Sequence, residues 1–311
     1  MVKVKDIEWH KHTRVLDLVK SLGSCGFQGV ELGKAVECFT KMKREGAKIY
    51  LTFTSNMVTS GLRGFFAQLI KLKMANVIIT TVGSVEEDIM KAIGEDFFIG
   101  NYAADDVGLH EKGINRVGNL LIRNESYERF EAFMQEILPK LYEKKKRYCV
   151  SEFLREIGFM LNDEKSILYQ AARNNVPIFC PAITDGSLGF HLFMFQQDHK
   201  DFIIDVVQDF ANLIFSSTHD DKKAIIALGG GVSKHHAILG TLINGGADYA
   251  VYMTTAHEYS GSLSGATTRE AKSWGKIKDS ADAVTVIGDV SVTFPLAMFA
   301  ALDILSDEGL I

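Results

Sequence analysis

The sequence predicts a doubly wound α/β fold, a mostly parallel sheet with helices on both faces. Two observations carry that expectation. Six short runs are continuously apolar rather than alternating: KIYLTFT (48–54), NVIITTV (76–82), VPIFCPA (176–182), AIIALGG (224–230), DYAVYMTT (248–255) and AVTVIGD (283–289). Strands buried on both faces read this way, as in a parallel sheet. Between them lie amphipathic stretches such as LRGFFAQLIKLKM (62–74) and HHAILGTLING (235–245). Strand followed by helix, repeated, is the pattern of βαβ units.

Ahead of the first strand, LDLVKSLGSCGFQGVELGKAVECFTKM (16–42) reads as two helices around a glycine turn, a helical extension over 1–45 that packs on the sheet edge or reaches a neighbouring subunit. In the middle, ESYERFEAFMQEILPKLYEKKKRY (125–148) reads as a charged helix. Its KKKR run (144–147) is either a basic docking patch or a solvated helix end whose cations face the negative terminus. The chain has four prolines, no Ser/Gly linker and no internal repeat, so one domain over 1–311 is expected.

With 311 residues, 47% of them hydrophobic, the chain can bury a large core. A formal net charge of -5 argues against nucleic acid as a partner, which would call for a basic excess, and is compatible with cationic substrates. Cys25, Cys38, Cys149 and Cys180 form no CxxC pair and have no histidine at ligand spacing. They read as buried thiols of a reducing compartment, with no metal site. The start, MVKVKDIEWHKHTRV, lacks the apolar core of a signal peptide, and no apolar run reaches the ~18 residues of a membrane span. A cytoplasmic protein without a membrane partner is expected.

In such sheets, ligands gather at the carboxyl ends of the strands. Those ends carry TSNMVTSG (54–61), TTVGSVEED (80–88), TDGSLG (184–189), GGGVSKHH (229–236), TTAHEYSGSLSGA (254–266) and GDVS (288–291). Any one could be a tight turn; six together point to one nucleotide-type cleft. GGGVSKHH follows a strand and opens a helix, where glycines and free N–H groups suit a phosphate, although it is neither GxGxxG nor a P-loop. Asp289 could bind a ribose hydroxyl or cap a helix. Glu86, Glu87 and Asp88 could sit at a helix N-terminus or hold an amine. His235 and His236 are adjacent, so they cannot form an i, i+4 zinc pair; one could carry a proton, or both could be structural. Lys276, in EAKSWGKI (270–277), is a surface charge unless Trp274 desolvates its amine.

These segments, with SWGKI (273–277), NGGADYAVYMTTAHEYSGSLSGA (244–266) and GINRVGNLL (113–121), resemble deoxyhypusine synthases in order and spacing, strongly over 50–300. The resemblance implies a Rossmann-like domain in a homotetramer of tight dimers, with NAD held in active sites at the dimer interface. It implies oxidation of spermidine with NAD, capture of the imine on a lysine, and transfer of the aminobutyl group to a lysine of the hypusine-bearing translation factor. Carried over by position, Lys276 is the imine-forming catalytic nucleophile, with His235 beside it. Ser55, Asn56, Thr59, Thr81, Gly83, Glu87, Asp185, Gly230, Thr255, Ala256, Asp289 and Val290 match NAD contacts. Glu86, His235, Gly261, Ser262, Glu270 and Trp274 match positions around the polyamine. A polyamine calls for carboxylates at its ammonium groups and an aromatic wall for its methylenes. Two departures stand out: Phe190 and Leu263 replace aspartates of the family pattern. Each charge-assisted contact to an ammonium is worth ~1.5–3 kcal/mol, so a changed donor or weakened spermidine binding is expected. The alternatives are transfer to a free diamine, as in a homospermidine-type synthase, or a non-catalytic NAD-binding regulatory paralogue.

Overall fold

The computed structural model describes residues 3–311. It divides into two compact units, each assembled from separate stretches of chain. The first comprises residues up to Phe53, Leu72–Ile79 and Leu213–Ile311; the second comprises Thr54–Lys71 and Thr80–Asn212.

Five of the predicted strands run through the first unit: β1 (Lys48–Phe53), β2 (Val77–Thr80), β3 (Lys223–Leu228), β4 (Ala247–Thr254) and β5 (Ile277–Ile287). Their order is β5-β4-β3-β1-β2, and β1 with β3, β3 with β4, and β4 with β5 pair in parallel. β2 and β3 are buried along their whole length, and β1 and β4 at all but one residue each, as their unbroken apolar runs require. β5 begins six residues earlier than predicted. Its first part, IKDSAD, is polar and half-exposed, and a register shift between Ala247 and Tyr249 lets it join β4.

The two N-terminal helices form as predicted, Val15–Leu22 and Phe27–Arg44, separated by a turn with Gly26 at φ 107°. The second packs on β5, β4 and the C-terminal helix Val290–Asp307. That last helix corrects one expectation. It is long and apolar enough, by length and composition, to cross a bilayer, although Ser291, Thr293 and Asp303 interrupt the run in the bare sequence. Residues including Phe294, Met298, Ala301 and Leu305 on it are buried within the unit, which accounts for the apolarity as core packing.

The second unit is mostly helical. Its longer helices are Val82–Ala92, Asn124–Lys144, Val150–Met160 and Ser187–Asp198. They accompany a small antiparallel sheet of Phe98–Ile99, Leu120–Arg123 and Ile114–Val117. The predicted strand 176–182 shrinks to Ile178–Phe179, because Pro177 and Pro181 flank it and cannot donate to a ladder. The KKKR run is neutralised locally. Lys144 pairs with Glu156, Lys145 with Glu152 and Arg147 with Asp205, while Lys146 lies over Tyr142. No free basic patch is left there.

Candidate active site

The predicted site residues fall into two groups, one in each unit. In the first unit the carboxyl ends of β3, β4 and β5 lie level, with Leu228 opposite Met253 and Thr254 opposite Ile287. The loops leaving them are therefore neighbours. After β3, Gly229 and Gly231 take φ of 84° and 66° and open the helix Gly231–Leu242. A side chain at Gly231 would meet nothing within 4 Å, while its amide donates to Ser264 Oγ at 3.1 Å. Gly230 serves packing instead. A Cβ there would come within 2.4 Å of Ser264 Oγ, so glycine lets the 261–266 segment lie against this loop. After β4, the Thr254 hydroxyl accepts from the Ala256 amide at 3.0 Å, and Thr255 is exposed. After β5, Asp289 caps the C-terminal helix: its Oδ1 accepts from the Ser291 amide and hydroxyl at 2.8 and 2.7 Å, and Val290 begins the helix. The capping alternative for Asp289 is thus realised, and the residue also remains exposed at the sheet end.

Lys276 lies at the start of β5. The short helix Thr268–Ser273 is capped by the Thr267 hydroxyl, the chain reverses at Gly275 (φ 67°), and the Lys276 amide closes the turn on the Ala271 carbonyl at 3.1 Å. Its Nζ stands 4.8 Å from the centre of the Trp274 ring. Trp274 is 66% exposed, so it walls the amine on one side instead of enclosing it. Lys276, Trp274 and Glu270 line one narrow pocket with Leu263, Tyr252 and Lys234. Its free volume of ≈ 10 Å³ holds about one water. His235 is exposed one turn into its helix; burial first, and the Lys276 charge second, hold its imidazole below the ordinary value. His236 is pushed lower, to about 4, by burial and by His235. Gly261, at φ 67°, ends the turn Glu258–Ser260, and the Ser262 hydroxyl accepts from the Ser264 amide at 3.3 Å.

Lys234 escaped the sequence reading. It is 1% exposed, donates to the carbonyls of Leu263 (2.9 Å) and Ala266 (2.7 Å), and lies 4.3 Å over the Tyr252 ring. Burial lowers its pKa to about 8, with Glu270 opposing and Lys276 adding to the shift. The signal was present: on a helix starting at Gly231, position 234 shares the buried face with Ala237, Ile238 and Thr241.

In the second unit the three adjacent acids of the helix Val82–Ala92 part company. Glu86 accepts from the Leu188 amide at 2.8 Å and so caps the helix Ser187–Asp198; a Cβ on Gly186 would meet its Oε1 at 2.5 Å. Glu87 accepts from the Thr59 hydroxyl at 2.6 and 2.8 Å. Burial pushes its carboxyl up to about 7, against the Thr59 hydrogen bond and the Lys91 charge. Asp88 is structural, accepting from Arg63 Nε at 2.5 Å, Ser166 Oγ at 2.9 Å and the Leu168 amide at 2.8 Å. The predicted loop residues cluster around Glu87. The Ser55 amide donates to the Thr81 hydroxyl at 3.0 Å, Thr59 also reaches the Ser55 carbonyl, and a Cβ on Gly83 would meet Ser55 Cβ at 2.9 Å. Asn56 accepts from the Thr54 hydroxyl at 2.5 Å. The segment Val58–Leu62 kinks at Gly61, whose φ of 96° glycine alone takes readily. Asp185 is exposed, and Phe190 is 58% exposed on the helix that Glu86 caps.

With this geometry in place, comparison with known proteins decides the family. The sequence model described as deoxyhypusine synthase matches residues 17–301. The chain belongs to the deoxyhypusine synthase family. It is 41% identical over 312 residues to a protein from Pyrococcus furiosus assigned as deoxyhypusine synthase, covering 94% of this chain and 93% of that one. The deoxyhypusine synthase of Kluyveromyces lactis is 37% identical over 348 residues, covering 96% and 92%. Among solved structures, a protein from Entamoeba histolytica assigned as deoxyhypusine synthase superposes with a TM-score of 0.69 at 28% identity, covering 97% of both chains. Members of this family are transferases, and the enzyme class expected from the sequence stands.

The residues present fit the dinucleotide that the family implies. The glycine turn at 229–231 starts a helix at the strand ends, where a helix N-terminus suits a phosphate, although the Gly231 amide itself goes to Ser264 Oγ, and Asp289, exposed at a strand end, can accept from a hydroxyl.

Proposed function

We propose that this chain transfers an aminobutyl group from a polyamine, spermidine or a related amine, by way of an imine on Lys276, to a lysine of the hypusine-bearing translation factor. The observation that carries the reading is the shared pocket of Lys276, Glu270 and Trp274. It joins an amine nucleophile, one carboxylate for an ammonium and an aromatic face for methylenes. Bound NAD would supply the oxidising power, taking up a hydride that is returned at the end. Gly231, Thr255, Ala256 and Asp289, at the carboxyl ends of β3, β4 and β5, would hold it. Within the protein's own groups, Lys276 would form the carbon–nitrogen bond to the four-carbon unit as that carbon's bond to the donor's other nitrogen breaks and the remaining amine leaves, and His235, held below its ordinary pKa, would exchange protons with the departing and attacking nitrogens. Glu270 anchors an ammonium of the donor, and Trp274 shields the methylenes.

Leu263 supports a second reading. It lines the Lys276 pocket where the family pattern has an aspartate, leaving Glu270 as the pocket's one carboxylate. That favours a donor carrying less charge than spermidine, and with it a free diamine as acceptor. A homotetramer working in the cytoplasm, its sites shared between subunits, belongs to the same proposal. Incubation with NAD, labelled spermidine or putrescine, and either the translation factor or a free diamine tests it. Label on a protein lysine supports the first reading, and label on the diamine supports the second. Label on neither, with any donor, refutes both.

A further inference from the structure

Lysine is almost never fully buried unless paired. Lys234 is 1% exposed and makes no ion pair among the described residues. The fold accepts the desolvation of an ammonium at this point, so the contacts made in return identify what it does.

Those contacts converge on one turn. Two of the three N–H groups go to the carbonyls of Leu263 and Ala266, and the ammonium rests on the Tyr252 ring. The turn also closes on itself, through the Gly265 amide to the Ser262 carbonyl and the Ala266 amide to the Leu263 carbonyl. Gly265 lies so close to the His257 carbonyl that a Cβ would stand 2.0 Å from it. Lys234 is thus the side chain by which the helix Gly231–Leu242 grips the turn, beside the Gly231 amide, which donates to Ser264 Oγ at 3.1 Å. The turn in its place carries Leu263 to the pocket it shares with Lys276, Trp274 and Glu270.

We infer that Lys234 is a positioning residue: it latches the 263–266 turn over the Lys276 pocket and so fixes the wall that selects the donor amine. It touches no reacting atom. A methionine of similar length would fill the same space and leave both carbonyls without their donor. Hydrogen bonds from a charged nitrogen are about twice as strong as those from a neutral one, so the latch weakens as the ammonium loses its proton, near pH 8. The charged and titratable groups facing it are Glu270 and Lys276, on either side of the turn that leads into β5, and Tyr252 on β4. Glu270 favours the charged form and Lys276 opposes it.

The role rests on reading the Lys276 pocket as the donor site, so the decisive test needs no turnover. Amide hydrogen exchange over 260–267 is followed in the full chain, corrected for intrinsic rates, in wild type and Lys234→Met. The latch predicts exchange about tenfold or more faster in the variant at pH 7. It also predicts wild-type protection that declines above pH ~8, a decline the variant lacks. Equal protection in the two proteins overturns the inference. If Lys234→Met does not fold, the wild-type pH series decides: protection that stays flat through pH ~8 overturns the latch. A donor assay then separates wall from chemistry. Donor KM should rise about tenfold while kcat changes by less than about threefold. A fall in kcat alone contradicts a positioning role. A chain that transfers nothing, yet shows the exchange difference, would refute the proposed function and leave the latch standing.

Discussion

Glu87 gives a pH dependence whose sign and size follow from its surroundings. Its carboxyl is 7% exposed and, among the described residues, accepts only from the Thr59 hydroxyl; burial raises its pKa from 4.5 to about 7. Between those values the folded state binds the proton and the unfolded state does not, so stability falls as pH rises. The contribution is fully present below pH 4.5 and is lost as pH passes through about 7. At ~1.4 kcal/mol per pH unit, a gap from 4.5 to about 7 amounts to roughly 3 kcal/mol, an upper figure because buried sites relax and admit water. Glu87→Gln keeps an acceptor for Thr59 and removes the titration. Urea unfolding of both proteins from pH 4.5 to pH 8.5 reads the difference, which cancels groups not coupled to Glu87, such as His236. The variant should gain on the wild type by about 2–3 kcal/mol across that range, most of it between pH ~5 and pH ~7.5. A difference that is constant with pH, or that grows in the opposite direction, refutes the reasoning.

Three further outcomes are expected. Asp88→Ala takes one of two carboxylates from the buried Arg63, which keeps Asp163, and leaves the Ser166, Ile167 and Leu168 donors without their acceptor, and should cost about 1–3 kcal/mol by denaturant unfolding. Gly230→Ala drives a methyl into the Ser264 backbone and should cost about 1–3 kcal/mol, with NAD affinity falling alongside, as read by calorimetric titration. Restoring an acid with Leu263→Asp should lower the spermidine KM by about tenfold or more, an ammonium contact being worth ~1.5–3 kcal/mol; an unchanged KM would show that this side chain does not face the donor.

What the sequence made legible follows the range of the interactions involved. β1, β3 and β4 were readable because burial on both faces leaves an unbroken apolar run, a local signature. The polar first half of β5 was not, since only pairing with β4 makes it a strand. Glu86, Glu87 and Asp88 were visible as a cluster, but their separate roles were not. Their partners, the Leu188 amide, Thr59 and Arg63, lie far away in sequence. The motif around Lys276 was legible through resemblance, and its pocket geometry was not: Trp274 turned out to be a one-sided wall. Lys234 went unnoticed because GGGVSKHH drew attention to its glycines and histidines, although helical spacing already put that lysine on the buried face.

The central claim is that Lys276 is the covalent carrier of the transferred group. Borohydride reduction in the presence of NAD and a polyamine, followed by mass spectrometry of the digested protein, tests it most directly. The account predicts a reduced aminobutyl adduct on the peptide containing Lys276, absent from Lys276→Ala, which should still bind NAD. No adduct with any polyamine, or an adduct on Lys234 or another lysine in its place, would contradict it.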